Sequence, residues 1–484
     1  MPRGPLARVD AMPTRRAIPT LAAVTMIGAI VLASLAQVLG VRAAESRSPS
    51  RPRTLAPPVA TPLVSVRRLA GTVAAREAVA RIERGVATVV TALPADACLV
   101  VEVQGRRAVD VRGATAYVPG SNAKLAVAYG ALARLGPAHA YVTEVLGDVR
   151  AGVVQGDLWL VGGGDPSLLT ERYAATERYR TRHATPLERL ADAVRAVGVT
   201  AVAGAVRGDG SRYDTERFAP GLADGIRVVE VGPIGGLLVD DGTVAVSPIK
   251  PADPAAAAAA EFARLLAERG IAVAGGTGTG TVPDGGAGLA RVASITSSPL
   301  SDVVRDLLTN SDNNTAEMVL KEVGFAASGA GAREAGLADA VARLAADGVP
   351  TEGLVLRDGA GLHLEDRMSC DTLVGLLRAS PAGGPLREGL AVASRTGTLR
   401  DADFPPAVGG TLRAKTGTLT GVKALSGVYP TAAGDDAIFS LLLNGQGTST
   451  VGVYQPLWSS LGLALADAAR VPSAASLAPV TPGG

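Results

Sequence analysis

The chain is poor in lysine: five residues (Lys124, Lys250, Lys321, Lys415, Lys423) stand among 47 basic side chains, the rest being arginine. A guanidinium stays protonated in proteins, whereas a buried ammonium can lose its proton and act as a base, so lysines kept against this background mark candidate chemistry. Aromatic residues are 3% of the chain and the formal net charge is +2, which leaves neither a basic field nor a stacking platform for nucleic acid. The three histidines (His139, His183, His363) and two cysteines (Cys98, Cys370) lie far apart without zinc-ligand spacing. No metal and no other cofactor is expected.

Charge is also missing from Ala17 to Val41, directly after Arg15 and Arg16. That is an export pattern, and residues 1–44 read either as a signal peptide cleaved near Ala43 or Ala44 or as a retained membrane anchor. Residues 45–70 form a linker whose Ser-, Pro- and Arg-rich part cannot bury enough apolar surface to order itself, and 471–484 read as a disordered tail. Apolar spacing predicts a helix over 71–90, where the ordered body begins. An exported chain with two cysteines can oxidise them, so a Cys98–Cys370 disulfide is expected, the alternative being two buried thiols.

Three short motifs follow in order. Ser121-Asn-Ala-Lys124 opens the Ala- and Leu-rich helix pattern 123–135 behind the breaker Pro119-Gly120, with Ser121 as N-cap or first-turn residue. Three residues make nearly one turn, so the Lys124 amine can reach the Ser121 hydroxyl. Ser311-Asp-Asn313 lies between helix patterns at 300–308 and 316–323, and three of the five asparagines in the chain (Asn310, Asn313, Asn314) crowd this break. Taken alone it reads as a helix-capping turn; its place between the other motifs favours a site. Lys415-Thr-Gly-Thr418 precedes a turn at Thr420-Gly421 and the strand pattern 422–429.

Partial copies act as controls. Ser247-Pro-Ile-Lys250 fits Ser-x-x-Lys, but Pro251 and Pro254 stop any helix that would put both side chains on one face. Arg395-Thr-Gly-Thr-Leu399 nearly repeats Lys415–Leu419 without the following strand. Gly162-Gly-Gly-Asp165 lacks the Gly-Lys-Ser/Thr of a phosphate loop and reads as a tight turn. Glu317 reads as a surface or packing residue rather than a second base, and no Gly-x-Ser-x-Gly elbow surrounds Ser121 to support a His-based triad.

Ser-x-x-Lys, Ser-Asp-Asn and Lys-Thr-Gly in this order form the signature of serine enzymes acylated by penicillins, and here they resemble the class C low-molecular-mass penicillin-binding proteins, the D-alanyl-D-alanine carboxypeptidases and endopeptidases. Leu158–Ser167, Ser298–Asp302, Ser311–Glu317 and Asp358–Leu362 extend the likeness, which covers about 75–465. The stretch Val231–Asp241 departs from it by lacking aromatic residues. The resemblance implies an α/β (α+β) protein with a serine β-lactamase/penicillin-binding fold, an antiparallel sheet flanked by helices. Ser311 lies 187 positions after Lys124, a gap that in this family signals an inserted mixed α/β domain. The expected catalytic domain is 71–144 with 291–470, and the insert 145–290. Ser121 is the implied nucleophile, Lys124 its base, Ser311 a proton relay and Asn313 a holder of the substrate amide, with Lys415, Thr416, Gly417 and Thr418 binding the terminal carboxylate. Implied partners are peptidoglycan stem peptides and, as covalent inhibitors, β-lactams, with the catalytic body outside the cytoplasm. The rival readings are a β-lactamase, which must hydrolyse its acyl-enzyme quickly, and a non-catalytic cell-wall-binding protein that keeps the fold.

Overall fold

A computed structural model of the chain describes residues 66–176, 182–243 and 250–471. The expected signal or anchor, nearly all of the linker, Ser247 of the partial Ser-x-x-Lys copy and the tail beyond residue 471 lie outside the described residues. Among the described residues no helix is long and apolar enough to cross a membrane.

Helix α1 (Val66–Ala92) precedes the hairpin β1 (Ala97–Val103) and β2 (Arg106–Val111). A 3₁₀ turn at Gly120–Asn122 opens directly into α2 (Ala123–Leu135), the helix expected from its Ala and Leu spacing. Next come β3 (Val142–Gly147), β4 (Leu158–Val161), α3 (Leu187–Ala196), β5 (Val206–Asp209), α4 (Pro254–Glu268), β6 (Thr277–Thr279) and β7 (Ala290–Thr296). Helices α5 (Leu300–Asn310), α6 (Asn313–Ser328), α7 (Arg333–Ala346) and α8 (Cys370–Ala379) follow. The chain then forms β8 (Ala391–Val392), β9 (Arg413–Leu419), β10 (Val422–Pro430), β11 (Asp436–Asn444) and α9 (Val451–Ala469).

The main sheet has the order β8-β9-β10-β11-β1-β2, antiparallel throughout. Helices cover both of its faces, which is why β1 is buried along its whole length and apolar but for Glu102 rather than alternating. Successive side chains still point opposite ways: Cys98 and Val100 pack with α2, α5, α6 and α8, while Leu99 and Val101 pack with α1 and α9. Helices α1 and α9 approach closely at Gly85, where a Cβ would stand 2.6 Å from the Cβ of Ala464.

Strands β3 to β7 form a second sheet, ordered β6-β5-β4-β3-β7. It is mixed: β5 runs parallel to β4 and β6, while β3 is antiparallel to β4 and β7. Helices α3 and α4 bury Leu187, Leu190, Phe262 and Leu265 against it.

The break between α5 and α6 is shorter than the gap between the expected helix patterns 300–308 and 316–323, because only Ser311 and Asp312 fall outside the two helices. Asp312 makes so sharp a junction possible: its side chain accepts from Thr315 N at 2.6 Å and caps α6, satisfying one of the orphan amides at the helix start.

Cys98 on β1 and Cys370 at the start of α8 form a disulfide across 272 positions of sequence. It ties the middle of the sheet to the helical layer that carries the site. No reactive thiol should appear when the denatured, unreduced protein is titrated. Replacing both cysteines by serine should lower the unfolding free energy by about 2–4 kcal/mol, read from urea midpoints. Two reactive thiols in the unreduced protein would contradict the bond.

Candidate active site

Ser121 lies in the 3₁₀ turn ahead of α2 rather than at the helix N-cap, which is Asn122 and makes no side-chain cap. Its hydroxyl turns to lysine instead: Lys124 Nζ is 2.9 Å from Ser121 Oγ. The same nitrogen is 2.7 Å from Asn313 Oδ1 and 2.5 Å from the carbonyl oxygen of Ala360. Three acceptors therefore converge on one fully buried amine from three separate parts of the chain. Burial pushes the Lys124 pKa down to about 8, while the charges of Asp358, Asp312 and Glu317 hold it up.

Ala360 belongs to the turn 358–362, which is clamped from behind. Asp358 accepts from Gly361 N at 2.6 Å and from Leu362 N at 3.0 Å. Gly361 (φ 75°) lies so close to the serine turn that a Cβ would come within 2.1 Å of the carbonyl oxygen of Gly120. Of the two sequence readings of Glu317, surface or packing, the packing one holds. It is no surface residue: its buried carboxylate accepts from Gly359 N at 2.6 Å and from Ala360 N at 2.8 Å. Burial, reinforced by the charge of Asp358, pushes its pKa up to about 7.

Ser311 caps α5 in the left-handed region (φ 63°), a conformation that costs a non-glycine residue about 1 kcal/mol and aims its side chain at β9. Lys415 Nζ donates to Ser311 Oγ at 2.7 Å and to the carbonyl oxygen of Thr416 at 2.9 Å. That ammonium is fully buried, and desolvation together with the charge of Lys124 lowers its pKa well below the usual lysine value. Gly417 packs against the serine turn, where a Cβ would stand 2.5 Å from the carbonyl oxygen of Pro119. Thr418 is exposed toward the cleft.

The cleft has a volume of about 790 Å³ and is bordered by Ser121, Ser311, Asn313, Thr416 and Thr418. Lys124 and Lys415 lie beneath its floor. Residues that sequence reasoning did not assign to the site also border it: Glu230, Leu362, Thr398 and Lys423. Thr398 comes from the near-copy of the third motif, and Thr416 Oγ1 donates to its hydroxyl at 2.9 Å. The crowded asparagines have a structural use as well. Asn313 Nδ2 donates to the carbonyl oxygen of Glu230 at 2.7 Å, and Asn314 Oδ1 accepts from Gly232 N at 2.7 Å, so both pin the 230–232 segment beside the cleft.

A serine hydroxyl, a desolvated lysine and a buried lysine–serine pair beside an antiparallel sheet form the constellation that the three-motif resemblance to penicillin-binding proteins implies. The fold agrees: penicillin binding protein 4 of Haemophilus influenzae superposes with a TM-score of 0.66 at 20% identity, over 78% of this chain and 98% of that one. Residues 92–253 and 246–453 match the family described as D-Ala-D-Ala carboxypeptidase 3 (S13), and the chain belongs to that family. It is 31% identical over 415 residues to the D-alanyl-D-alanine carboxypeptidase of an Actinomadura species, spanning 69% of this chain and 74% of the relative. It is also 30% identical over 344 residues to a carboxypeptidase of Mycobacterium tuberculosis, spanning 68% and 72%. The resemblance carried by the three motifs thus holds across residues 92–453.

Glu317 can be tested without losing its hydrogen bonds, because Glu317→Gln keeps an acceptor oxygen for the two amides. A carboxyl whose folded pKa, about 7, lies above its unfolded value of about 4.3 contributes most below pH 4.3 and loses that contribution as pH rises through 7. Urea midpoints of wild type and Glu317→Gln should therefore lie closest near pH 4 and separate in favour of the variant by about 1 kcal/mol or more above pH 7. Parallel profiles across this window would show that Glu317 is already ionised in the fold.

Proposed function

We propose that this protein removes the terminal D-alanine from peptidoglycan stem peptides, and cuts D-alanyl cross-links, through an acyl-enzyme on Ser121. The observation that carries the reading is the three-acceptor socket of Lys124. A neutral amine there keeps two N–H donors for Asn313 Oδ1 and Ala360 O and points its lone pair at the Ser121 hydroxyl. Ser121 Oγ attacks the carbonyl of the penultimate D-alanine as its proton passes to Lys124. The tetrahedral oxyanion is held by the backbone amides of Ser121 and Thr418; Gly120 (φ 53°) leaves that space open, since a Cβ on it would stand 3.2 Å from Thr418 N. The carbon–nitrogen bond breaks as Ser311, with Lys415 behind it, returns a proton to the leaving amine. Asn313 holds the substrate amide, and Lys415, Thr416, Gly417 and Thr418 receive the terminal carboxylate. Water then releases the acyl group.

The same reading divides the chain into a catalytic domain (71–144 with 291–470) and an inserted domain (145–290), supported by the separate apolar cluster that runs from Val145 to Ala293. It keeps the catalytic body outside the cytoplasm, with residues 1–44 as export signal or anchor, supported by the charge-free run 17–41 and by the disulfide.

Incubation with a penicillin should add one drug mass, carried on the Ser121 peptide and lost slowly. Because only neutral Lys124 can take the proton, acylation should rise with pH and level off above about 8. Lys124→Arg keeps the charge but removes the base, and should slow single-turnover acylation by about 10²–10⁴-fold. Absence of an adduct, or an arginine variant that acylates at the wild-type rate, would refute the mechanism; rapid release of the drug would point to a β-lactamase.

A further inference from the structure

One lysine at the cleft has no part in the three motifs. Lys423 stands directly across from Thr418 in the β9–β10 ladder, and its Nζ donates to Thr418 Oγ1 at 2.9 Å. Two aromatic rings also flank it: Nζ lies 4.0 Å from the ring centroid of Tyr454 and 4.9 Å from that of Trp458. Phe404 stacks against Trp458 with ring planes 5° apart. Ring faces attract a cation but do not neutralise it, and among the described residues no carboxylate pairs with Lys423. Burial alone lowers its pKa, to about 8. Lys423, Tyr454, Trp458 and Thr418 all border the cleft that holds Ser121.

A threonine hydroxyl has one proton to give and two lone pairs. With one lone pair of Thr418 taken by the ammonium, its proton is free to point outward, and the neighbouring charge strengthens that donor. Lys415 is placed differently, since its Nζ faces Ser311 Oγ and the Thr416 carbonyl beneath the cleft floor. Of the two lysines, Lys423 is the one whose charge stands directly behind an exposed hydroxyl of the third motif.

We propose that Lys423, acting through Thr418, selects substrates whose leaving residue carries a free carboxylate beside the scissile nitrogen. The inference rests on the acyl-enzyme reading above and adds a specificity residue to it. It requires discrimination against the same peptide with that carboxylate amidated, where the ammonium meets a neutral group. A terminal D-alanine and a cross-linking amino acid with an unamidated α-carboxylate present the same anion at this point, so both would be favoured.

The test compares hydrolysis of an acylated D-alanyl-D-alanine peptide with hydrolysis of its C-terminal amide by wild type, Lys423→Met and Lys423→Arg. Wild type should prefer the acid. Lys423→Met should lower kcat/KM on the acid by about tenfold, the order expected for one charge lost a few ångströms from the anion, and leave the amide rate within about twofold, so that the preference collapses. Lys423→Arg should recover most of it. An acid-to-amide ratio unchanged in Lys423→Met would overturn the inference alone. Equal loss on both peptides would also overturn it, because a merely structural role moves both rates together. A wild-type enzyme that cleaves neither peptide would overturn the acyl-enzyme reading and this inference with it.

Discussion

The desolvated amine of Lys124 sets the conditions that the rest of the site meets. Taking an ammonium out of water is costly, and a buried lysine answers by shedding its proton unless acceptors and anions hold it. Here both forces act. Asn313 Oδ1 and the Ala360 carbonyl satisfy the N–H groups, and the negative charges of Asp358, Asp312 and Glu317 favour the protonated amine and hold its pKa up. The result is an amine near the middle of its titration at mildly alkaline pH, able both to take a proton and to return it. Removing any one acceptor would leave either a buried donor unpaired or a serine without its partner.

That requirement explains several features that have no local cause. The serine and lysine come from one continuous 3₁₀-to-α2 junction, which sets their spacing, but the other two acceptors come from the start of α6 and from the turn 358–362. Each has to be delivered by contacts of its own. Asp312 fixes the first by capping α6. Glu317, one turn along α6, fixes the second by gripping Gly359 N and Ala360 N. One helix N-terminus thereby positions two of the three groups around the amine. Asn444, at the end of β11, holds the opposite side with a pair of bonds to Val118, to its N–H at 2.9 Å and from Nδ2 to its carbonyl oxygen at 3.0 Å.

Legibility in the sequence follows the range of the interactions. Helix α2 and strand β10 were readable because periodicity and turn residues are local signals. The three motifs were readable because each packs its chemistry into three or four positions. Glu317 was legible only as surface or packing, because on a helix it looks like any polar residue; only the turn 358–362, folded against it from about forty positions away, gives it a role. Thr398 was set aside as belonging to a failed copy of the third motif, yet the fold lays that copy beside the original, hydroxyl to hydroxyl. A signal for Lys423 did exist, in the scarcity of lysine, but the aromatic rings that hold it lie on α9, which sequence spacing does not connect to β10.

Ser311-Asp312-Asn313 shows why weighing a structural against a functional reading can set up a false choice. As a capping turn the segment is complete: Asp312 caps α6, and Ser311 takes the left-handed cap of α5. As a site it is equally complete, because the same junction turns Ser311 toward Lys415 and Asn313 toward Lys124. Two helices that meet over two residues leave the backbone little freedom, so the conformation that ends one helix and begins the next also fixes where both polar side chains point. Rigidity of this kind lets short side chains hold groups within hydrogen-bonding distance of two buried lysines without any long, mobile residue reaching across the cleft. Capping supplies the stability that offsets the strained serine, and the strained serine supplies the aim.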